Sequence, residues 1–394
     1  MKTGTARRHR VADVFRSGWE EFDRTHNIAP HQRHAVRHIM QCRTAALGGH
    51  LYHCDECGKD VPMYDSCLDR HCPTCQTVNK RQWLEDRQSE LLPAQYFHAV
   101  FTLPHELNGL VDANRALLLG ELFSVVAWVL RSFAADPQWR LEGSMGFIAA
   151  LHTWNQLLME HFHLHCIIPG GTWREDTQSW TPCRRNYLFG KQALAEAFRN
   201  RFIKRLMSLH RRGRLNFSGG ASELADPEIW KEFLSKLKSM KWVVWPKPTA
   251  AGPEKALEYL GRYTHRVAIS DYRILSMKDG LVTFSWRDRS DGNKLKNKTI
   301  PVSDFIHRFL YHILPPGFQK IRYYGWLAAK NKAKVLAAIR AALGTKPPPP
   351  QKEESTADRI LRLTGVDPRL CSVCGKGHLI YVMRIHPAPA RSPP

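Results

Sequence analysis

Residues 160–171 read Glu160-His161-Phe162-His163-Leu164-His165-Cys166-Ile167-Ile168-Pro169-Gly170-Gly171. Side chains of a β-strand alternate between its two faces, so a strand here would carry three histidines on one face and apolar residues on the other. The Pro-Gly-Gly sequence is typical of a strand end. Three imidazoles at every second position favour a metal site on a rigid sheet. The alternative is a polar strand face whose histidines are simply hydrogen-bonded.

The rise of a strand limits which of these histidines can share one ion. Neighbours on one face lie roughly 7 Å apart at about 3.3 Å per residue, which suits two imidazoles that converge on an ion. His161 and His165 lie about 13 Å apart by the same rise, which is too far. The expected ligand pair is therefore His161 with His163 or His163 with His165, and both remain open.

The charge of the chain indicates its class of partner. The 394 residues include 58 Lys and Arg against 36 Asp and Glu, a formal net charge of +22. Such an excess predicts attraction to a polyanion, with nucleic acid first and an anionic membrane second. The length allows two or three domains with at least one sizeable core.

No segment is predicted to span a membrane. The longest apolar run, residues 116–130, is too short and contains Glu121, so it predicts a buried helix. The basic N-terminus has no apolar stretch after it and does not resemble a secretory signal. We therefore expect a cytoplasmic protein without a membrane partner, whose ten cysteines are metal ligands or free thiols rather than disulfides.

Two Cys-x-x-Cys pairs indicate a structural zinc ion near the N-terminus. Cys54 and Cys57 form the first pair. Cys72 and Cys75 form the second, and 14 residues separate Cys57 from Cys72. Two pairs at this separation fit a zinc ribbon, in which four thiolates close the tetrahedral shell and leave no position for a reactive water. Additional ligand candidates, for a second ion or for a Cys/His exchange, are Cys67, His50, His53 and His71.

The C-terminal part offers half of another zinc site. Residues 345–358 contain four prolines and then a charged run, which predicts a linker. The tail of residues 359–394 carries Cys371 and Cys374, which His378, His386 or residues elsewhere would complete. The predicted organisation is a helical lead-in with a zinc module over 1–92, a larger domain over 93–344, the linker and the tail.

Two tyrosines are predicted on one face of a helix. Tyr259 and Tyr263 are four residues apart, and their neighbours include Arg262, His265 and Arg266. Aromatic pairs at this spacing often pack in a core, but the cationic setting would suit a phosphate. Further along, Lys320, Arg322, Tyr323, Tyr324 and Trp326 interleave cations with aromatic rings. This pattern indicates a single-stranded nucleic-acid surface, with a buried aromatic cluster as the alternative.

Hydrophobic periodicity predicts a mixed α and β chain. Helices are expected over 11–45, 81–92, 108–135, 194–211, 228–240 and 305–313, and strands over 96–104, 145–152, 161–168, 241–246 and within 272–302. The turn between residues 152 and 161 is too short for a crossover helix. The strands on either side of it are therefore expected to be antiparallel neighbours.

The order of these motifs resembles a known family. Residues 66–76, 101–104, 163–171 and 259–263 together resemble the two-tyrosine HUH transposases of rolling-circle insertion sequences (insertion-sequence-91-like), over roughly residues 10–345. The resemblance implies an α+β fold, in which helices flank a central antiparallel sheet with the histidine strand in its middle. It also implies an N-terminal zinc-ribbon-type module.

The resemblance further implies a mechanism. His163 and His165 would hold Mg²⁺ or Mn²⁺ against a scissile phosphate, while Tyr259 and Tyr263 would attack DNA to form a 5′-phosphotyrosine. Arg262 would help the phenol to ionise. Because imidazole matches Mg²⁺ poorly, a third ligand is expected to carry oxygen. The candidates are Glu258, Gln156 and Glu160, with His161 as a supporting residue or as the partner of His163.

The implied partner is DNA, chiefly the single-stranded or hairpin ends of a mobile element, so the protein would lie with the nucleoid in the cytoplasm of a prokaryote. Two other functions remain open. A plasmid relaxase or rolling-circle replication initiator would share the chemistry, although no Gly-x-x-x-x-Gly-Lys motif of an attached helicase is present. A non-enzymatic, zinc-dependent DNA-binding regulator would leave the three-histidine face unexplained.

Overall fold

A computed structural model describes residues 9–75, 83–249, 261, 268–328, 330–346 and 354–388. Its helices are α1 (Val11–Thr25), α2 (Pro30–Gln41), α3 (Asn108–Ala113), α4 (Arg115–Ala135), α5 (Lys191–Arg211), α6 (Pro227–Ser239), α7 (Val302–Leu310), α8 (Lys332–Ala342) and α9 (Thr356–Thr364). Its strands are β1 (Gly49–Cys54), β2 (Asp60–Tyr64), β3 (Tyr96–Thr102), β4 (Phe147–Trp154), β5 (Glu160–Pro169), β6 (Gly171–Arg174), β7 (Ser179–Pro182), β8 (Val243–Pro248), β9 (Ile274–Lys278), β10 (Leu281–Asp288), β11 (Lys294–Pro301), β12 (Ile321–Tyr324) and β13 (Leu379–Ile385).

The histidine strand β5 is the middle of a five-stranded antiparallel sheet with the order β12-β4-β5-β3-β8. The expected α+β class, with helices flanking an antiparallel sheet, is confirmed. So is the antiparallel pairing of β4 with β5, because only five residues connect them. The alternation within β5 therefore sets the two faces of the whole sheet.

The apolar face of the sheet packs on the helices α3, α4, α5 and α6. Phe162, Leu164 and Cys166 are fully buried there, and burying one such large apolar side chain contributes roughly 1.5–3 kcal/mol. The helix α4 meets the length and composition of a membrane span, but it lies in this core. Its Glu121 forms an ion pair with Arg205 of α5 at 2.6 Å, as a buried carboxylate requires.

The predicted helix over 108–135 is two helices, and Asn114 is the reason for the break. Its side-chain Nδ2 donates to the carbonyls of Leu110 and Asn216, while its Oδ1 accepts from the backbone N–H of Asn216. Asparagine side chains that bond to backbone groups compete with helical hydrogen bonds. The chain therefore turns between α3 and α4.

A second core joins the N-terminal helices to a later part of the chain. The helices α1 and α2 pack against α7 and the antiparallel sheet β11-β10-β9. The Phe15 and Phe309 rings meet edge to face, with centroids 5.1 Å apart. Trp154 and Leu158, at the turn between β4 and β5, contact the same core, so this unit adjoins the end of the histidine strand.

The C-terminal tail returns to the N-terminal module. The strand β13 pairs with β1 in a sheet of order β13-β1-β2. Neither β13 nor the helix α9 was expected from the sequence. The helix α9 begins within the predicted linker, where the Ser355 hydroxyl accepts from the Asp358 N–H and caps the helix.

Candidate active site

Three histidines meet on one face of the central sheet. His163 and His165 lie on β5, and His152 lies opposite His163 on β4. One ring nitrogen from each residue falls within 4.8 Å of the others. His152 was missed in the sequence. The expected antiparallel pairing of β4 with β5 was the signal that could have found it.

Neighbouring groups orient two of these rings. The Nδ1 of His163 lies 2.7 Å from the backbone carbonyl of His161, which can only accept, so Nδ1 carries the proton and Nε2 keeps its lone pair. The Nδ1 of His165 is hydrogen-bonded at 2.8 Å to Nε2 of His98 on β3. Such partners fix the tautomer of metal-binding histidines.

His161 lies outside the group. Its ring packs against His105 with centroids 5.3 Å apart, and its carbonyl, not its imidazole, supports the cluster through His163. The His161 and His163 ring centroids are 4.7 Å apart and those of His163 and His165 4.8 Å, but of the two pairs only the second belongs to the three-histidine group. The expectation that His161 is a metal ligand is corrected accordingly.

Burial keeps the imidazoles of His163 and His165 neutral. His163 is only 8% exposed, and burial lowers its pKa to about 3. Burial and the neighbouring His152 likewise hold the pKa of His165 well below its ordinary value. A metal ion binds neutral imidazole, so at neutral pH the cluster needs to lose no proton before it can act as a ligand set.

The donor set fits a divalent transition metal. Three neutral imidazoles suit Mn²⁺ and the later first-row ions better than Mg²⁺, which prefers oxygen. An octahedral ion held by three imidazoles would keep three positions for oxygen atoms of water or phosphate. Among the described residues the third candidate ligand is His152, so the expected oxygen ligand is not found in this part of the chain.

Two of the three oxygen candidates, Glu160 and Gln156, lie in the described part of the chain. Glu160 follows the alternation to the opposite face, where it is hydrogen-bonded to Asp112. The expectation that it joins the metal is wrong. Gln156 offers its backbone carbonyl to Nη2 of Arg273 at 2.6 Å. Glu258 lies outside the described residues.

The cysteines form two clusters, and each of the two predicted pairs belongs to a different one. Cys72 and Cys75 meet two residues from earlier in the chain, and Cys54 and Cys57 meet two from the tail. The clusters are Cys42, Cys67, Cys72 and Cys75, and Cys54, Cys57, Cys371 and Cys374. The prediction of one ribbon from both pairs was wrong, because local spacing does not tell which pairs the fold brings together.

The sulfur spacing in both clusters fits tetrahedral zinc. A Zn–S distance of about 2.3 Å implies sulfur atoms about 3.8 Å apart. The Sγ atoms of Cys54 and Cys374 are 3.7 Å apart, those of Cys57 and Cys371 3.8 Å, and those of Cys67 and Cys75 3.8 Å. Four thiolates close each shell, so both sites are structural.

The histidine alternatives for zinc are not used. Nδ1 of His71 contacts Asp69 at 3.0 Å, and Nε2 accepts from the Leu314 N–H at 3.2 Å. Both ring nitrogens of His71 are therefore engaged, and its assignment as a zinc candidate is corrected. The tail pair is completed by Cys54 and Cys57 rather than by His378 or His386.

The predicted nucleic-acid surface over 320–326 is partly a core. Trp326 is 5% exposed, and its ring lies against Gly146 so closely that an added Cβ would be 2.5 Å away. Tyr324 stacks on Phe147 with centroids 4.7 Å apart. Burial lowers the pKa of Lys320 to about 8. For Trp326 the expected surface role is wrong, because its side chain is inside, whereas Lys320 is half-buried.

Tyr323 and Arg322 border solvent. The Tyr323 hydroxyl accepts from Trp83 Nε1 at 3.1 Å and from Arg87 at 2.9 Å. The Arg322 guanidinium lies 4.1 Å from the Phe123 ring centroid and lines a groove. Of the predicted set, these two and Tyr324 are in position to meet a ligand.

The predicted tyrosine segment lies mostly outside the described residues, and this includes Tyr259, Arg262 and Tyr263. Gly261 between them is described. A Cβ added there would lie 2.5 Å from the Leu84 side chain. Leu84 packs on the cluster that contains Ile148 and Ile167, which alternation places on the histidine face. Position 261 is therefore on the same side of the sheet as the metal candidates.

Comparison with known proteins defines the class. A family model described as "Transposase zinc-binding domain" matches residues 14–103, and one described as "Putative transposase" matches residues 146–334. The chain is 42% identical over 376 residues to "Putative transposase y4qJ" of Sinorhizobium fredii, covering 94% of each. It is 26% identical over 357 residues to "Transposase for insertion sequence element IS801" of Pseudomonas savastanoi pv. phaseolicola, covering 89% of this chain and 83% of that one.

No solved structure matches the chain. The two matched regions, together with relatives that align along nearly the whole length, place the chain among the transposases. It belongs to the insertion-sequence-91-type family of these enzymes, and its N-terminal region is the zinc-binding domain of that family.

Proposed function

We propose that this transposase cleaves and rejoins single-stranded DNA through a 5′-phosphotyrosine and so drives rolling-circle-type transposition. The observation that carries the proposal is the cluster of His152, His163 and His165, which lies on the central strands on the same side as Gly261. A regulator that only bound DNA would have no need of three buried imidazoles grouped on one sheet face, two of them held neutral by burial.

The histidines would hold the catalytic ion, with Mn²⁺ a better match than Mg²⁺ to their nitrogen atoms. When bound, a divalent ion polarises a phosphoryl oxygen and stabilises the charge that develops in the transition state. The carbonyl of His161 keeps His163 in one tautomer, and His98 holds the His165 ring by a hydrogen bond. The sheet thus supplies a rigid support for a scissile phosphate.

Tyr259 or Tyr263 would be the nucleophile. Its phenolate oxygen attacks phosphorus, the bond from phosphorus to the 3′ oxygen breaks, and that oxygen leaves with the electron pair and takes a proton. The fragment downstream of the cut stays bound to tyrosine through its 5′ phosphate. A later 3′-hydroxyl reverses the step without an added energy source. Two tyrosines allow a second strand transfer while the first end is held.

The phenol must lose its proton far below its reference pKa of about 10. Arg262, between the two tyrosines in sequence, would favour the ionised phenol by its positive charge. This role predicts that Arg262→Ala slows cleavage more than it weakens DNA binding. Equal cleavage by the variant and the wild type would reject it.

An exposed ring on the histidine face supports a single-stranded substrate. Trp245 of β8 is 52% exposed and lies opposite Val100, which itself lies opposite His165. Alternation places all three side chains on one face. The Lys191 ammonium is 3.7 Å from the Trp245 ring centroid. A ring beside a cation suits an unpaired base next to its phosphate. With DNA as its partner, the protein would act in the prokaryotic cytoplasm.

The test is a covalent adduct. A pool of single-stranded oligonucleotides of random sequence, labelled at the 3′ end, is incubated with the protein and Mn²⁺ and then denatured. We expect labelled protein on the gel, because the fragment downstream of the cut carries both the 3′ label and the 5′ phosphate that is bound to tyrosine. A 5′-labelled pool should instead give shorter free fragments that a polymerase can extend.

Three variants serve as controls. The double variant Tyr259→Phe with Tyr263→Phe should give no adduct while still binding DNA, and His163→Ala should lose the adduct as well. Lys231→Ala changes an exposed residue away from the sheet face and should leave the yield unchanged. DNA binding by the wild type with no adduct would favour the regulator and overturn the proposal.

A further inference from the structure

A groove runs along the edge of the central sheet where β12 ends it. Its volume is about 850 Å³, and it lies between β12 and the helices α4, α5 and α8. Its cationic lining residues are Arg131, Arg201, Arg322 and Lys332, and the residues that line it include no Asp or Glu. Positive charge is therefore concentrated in this groove.

Three of these cations have no carboxylate partner among the described residues. The Arg201 guanidinium lies 4.3 Å from the Trp128 ring centroid, Arg322 lies 4.1 Å from Phe123, and Arg131 lies 5.6 Å from Tyr324. Aromatic rings hold the three planar groups in place. Arg322 Nε donates to the Gln319 carbonyl at 3.4 Å, and the guanidinium fork of each arginine matches phosphate oxygens.

Several arginines elsewhere in the fold pair with a carboxylate. Arg205 pairs with Glu121 at 2.6 Å, Arg308 with Asp304 at 2.8 Å, and Arg33 with Asp23 at 2.6 Å. The groove arginines lack such partners even though they converge. Cations that lie together without a counter-charge repel one another. The arrangement of the groove arginines therefore indicates that an anion completes the site.

The groove also offers a stacking surface. Trp128 is 42% exposed, and Arg201 packs beside it. Tyr323 and Tyr324 belong to the lining as well. An exposed ring next to unpaired arginines binds a base and its phosphate together, which a duplex with stacked, paired bases cannot offer.

The groove leads towards the histidine face. Side chains of β12 alternate, so Arg322 and Tyr324 face the helices, while Ile321 and Tyr323 face the side of the histidines. Ile321 lies opposite Ala150 of β4, two residues before His152 and so about 7 Å along the strand. A chain bound in the groove can therefore pass around the sheet edge to the metal candidates.

We infer that this edge groove binds the backbone of single-stranded DNA a few nucleotides from the scissile phosphate. Arg131, Arg201 and Arg322 contact phosphates, and Trp128 stacks with one base. The inference rests on the proposed function for its substrate. Three residues of this set were not predicted from the sequence. They are Trp128, Arg131 and Arg201, which lie on the helices α4 and α5.

The test is equilibrium binding in the Tyr259→Phe, Tyr263→Phe background, in which no cleavage can occur. Fluorescence anisotropy of labelled dT30 is measured for a groove variant with Arg131, Arg201 and Arg322 changed to Ala. A control variant has Arg185, Arg211 and Arg214 changed to Ala, which removes the same charge from exposed positions outside the groove.

We expect the groove variant to bind at least tenfold more weakly and the control variant to change less than twofold. The slope of log affinity against log salt should fall by about 2 in the groove variant, since each phosphate contact on a single strand contributes about 0.7. Trp128→Ala should weaken binding at least about fivefold, and Trp128→Phe should retain most of the affinity, because a ring remains.

Two results would overturn the inference. Equal losses in the groove and control variants would show that only net charge matters. Binding of a duplex as tight as that of dT30, and equally sensitive to the groove variant, would assign the groove to double-stranded DNA. Because the assay needs no covalent step, its result is separate from the adduct test, and circular dichroism of each variant verifies the fold.

Discussion

His98 and His165 are hydrogen-bonded to each other at 2.8 Å across the strands β3 and β5, with nearly parallel rings. His98 is not in the three-histidine group. Its contact holds the His165 ring beside that group. Partners of this kind typically change metal affinity by 10- to 100-fold when they are removed.

The first prediction concerns this partner. His98→Ala should weaken Mn²⁺ binding by about 10- to 100-fold without abolishing it, because the ligands themselves remain. Electron paramagnetic resonance of free Mn²⁺ during a titration measures the affinity. His98→Gln restores a hydrogen-bonding group and should recover part of the loss. An unchanged affinity in His98→Ala would show that the contact does not orient His165.

The second prediction separates His152 from His161. His152→Ala should abolish tight Mn²⁺ binding and adduct formation, because one of three ligands is lost. His161→Ala keeps the backbone carbonyl that His163 contacts, so it should retain the affinity within about threefold by the same titration. The reverse pattern, with His161 essential and His152 dispensable, would contradict the site described above.

The third prediction concerns the zinc count. Mass spectrometry of the metals should find two zinc ions per chain in a His163→Ala background, which removes the histidine site from the count. Cys371→Ser with Cys374→Ser should lose one ion, and Cys42→Ser should lose the other. Cys166→Ser changes a buried thiol outside both clusters and should leave two.

The same variants report on the tail. Cys371 and Cys374 lie outside both matched family regions, yet the structure joins them to the N-terminal pair. Loss of that ion should make the tail more sensitive to limited proteolysis, whereas loss of the Cys42 cluster should leave tail cleavage unchanged. A single zinc ion in the wild-type background would exclude one of the two clusters.

The fourth prediction concerns pH. Burial and the hydrogen-bonded Asp112 raise the pKa of Glu160 from 4.5 to about 8. The folded state then binds the proton more tightly than the unfolded state, so Glu160 favours folding below pH 4.5, and its contribution is lost as the pH rises towards 8. Glu160→Gln cannot ionise and should flatten the fall of the melting temperature between pH 4.5 and 8.

Thermal unfolding at several pH values measures this difference. Glu175→Gln, at an exposed position in the turn between β6 and β7, is the matched control and should follow the wild type. A Glu160→Gln curve that is parallel to the wild type over this range would show that Glu160 keeps an ordinary pKa.

Much of the framework followed from local patterns. The alternation of histidine and apolar residues predicted β5 and its two faces, and the short turn predicted its pairing with β4. The apolar run over 116–130 predicted the core helix α4. These features depend on residues close together in the chain, so period and turn length are sufficient to find them.

The sites depended on contacts between distant residues. Cys54 meets Cys374 across 320 positions, and spacing alone had joined Cys54 to Cys72 instead. His152 joined the cluster through strand register, and Trp326 moved from a predicted surface into a core because Gly146 leaves room for its ring. In each case the local pattern fitted two arrangements. Only the contacts between distant residues could select one of them.

Which chemical groups are present follows from the residues alone: an imidazole strand, two pairs of thiolates with a third in the tail, and a strong positive charge. The tertiary structure decided which of them meet. Ligands are grouped by distance in space, and that distance is set by sheet register and by the return of the tail to β1, neither of which a local pattern contains.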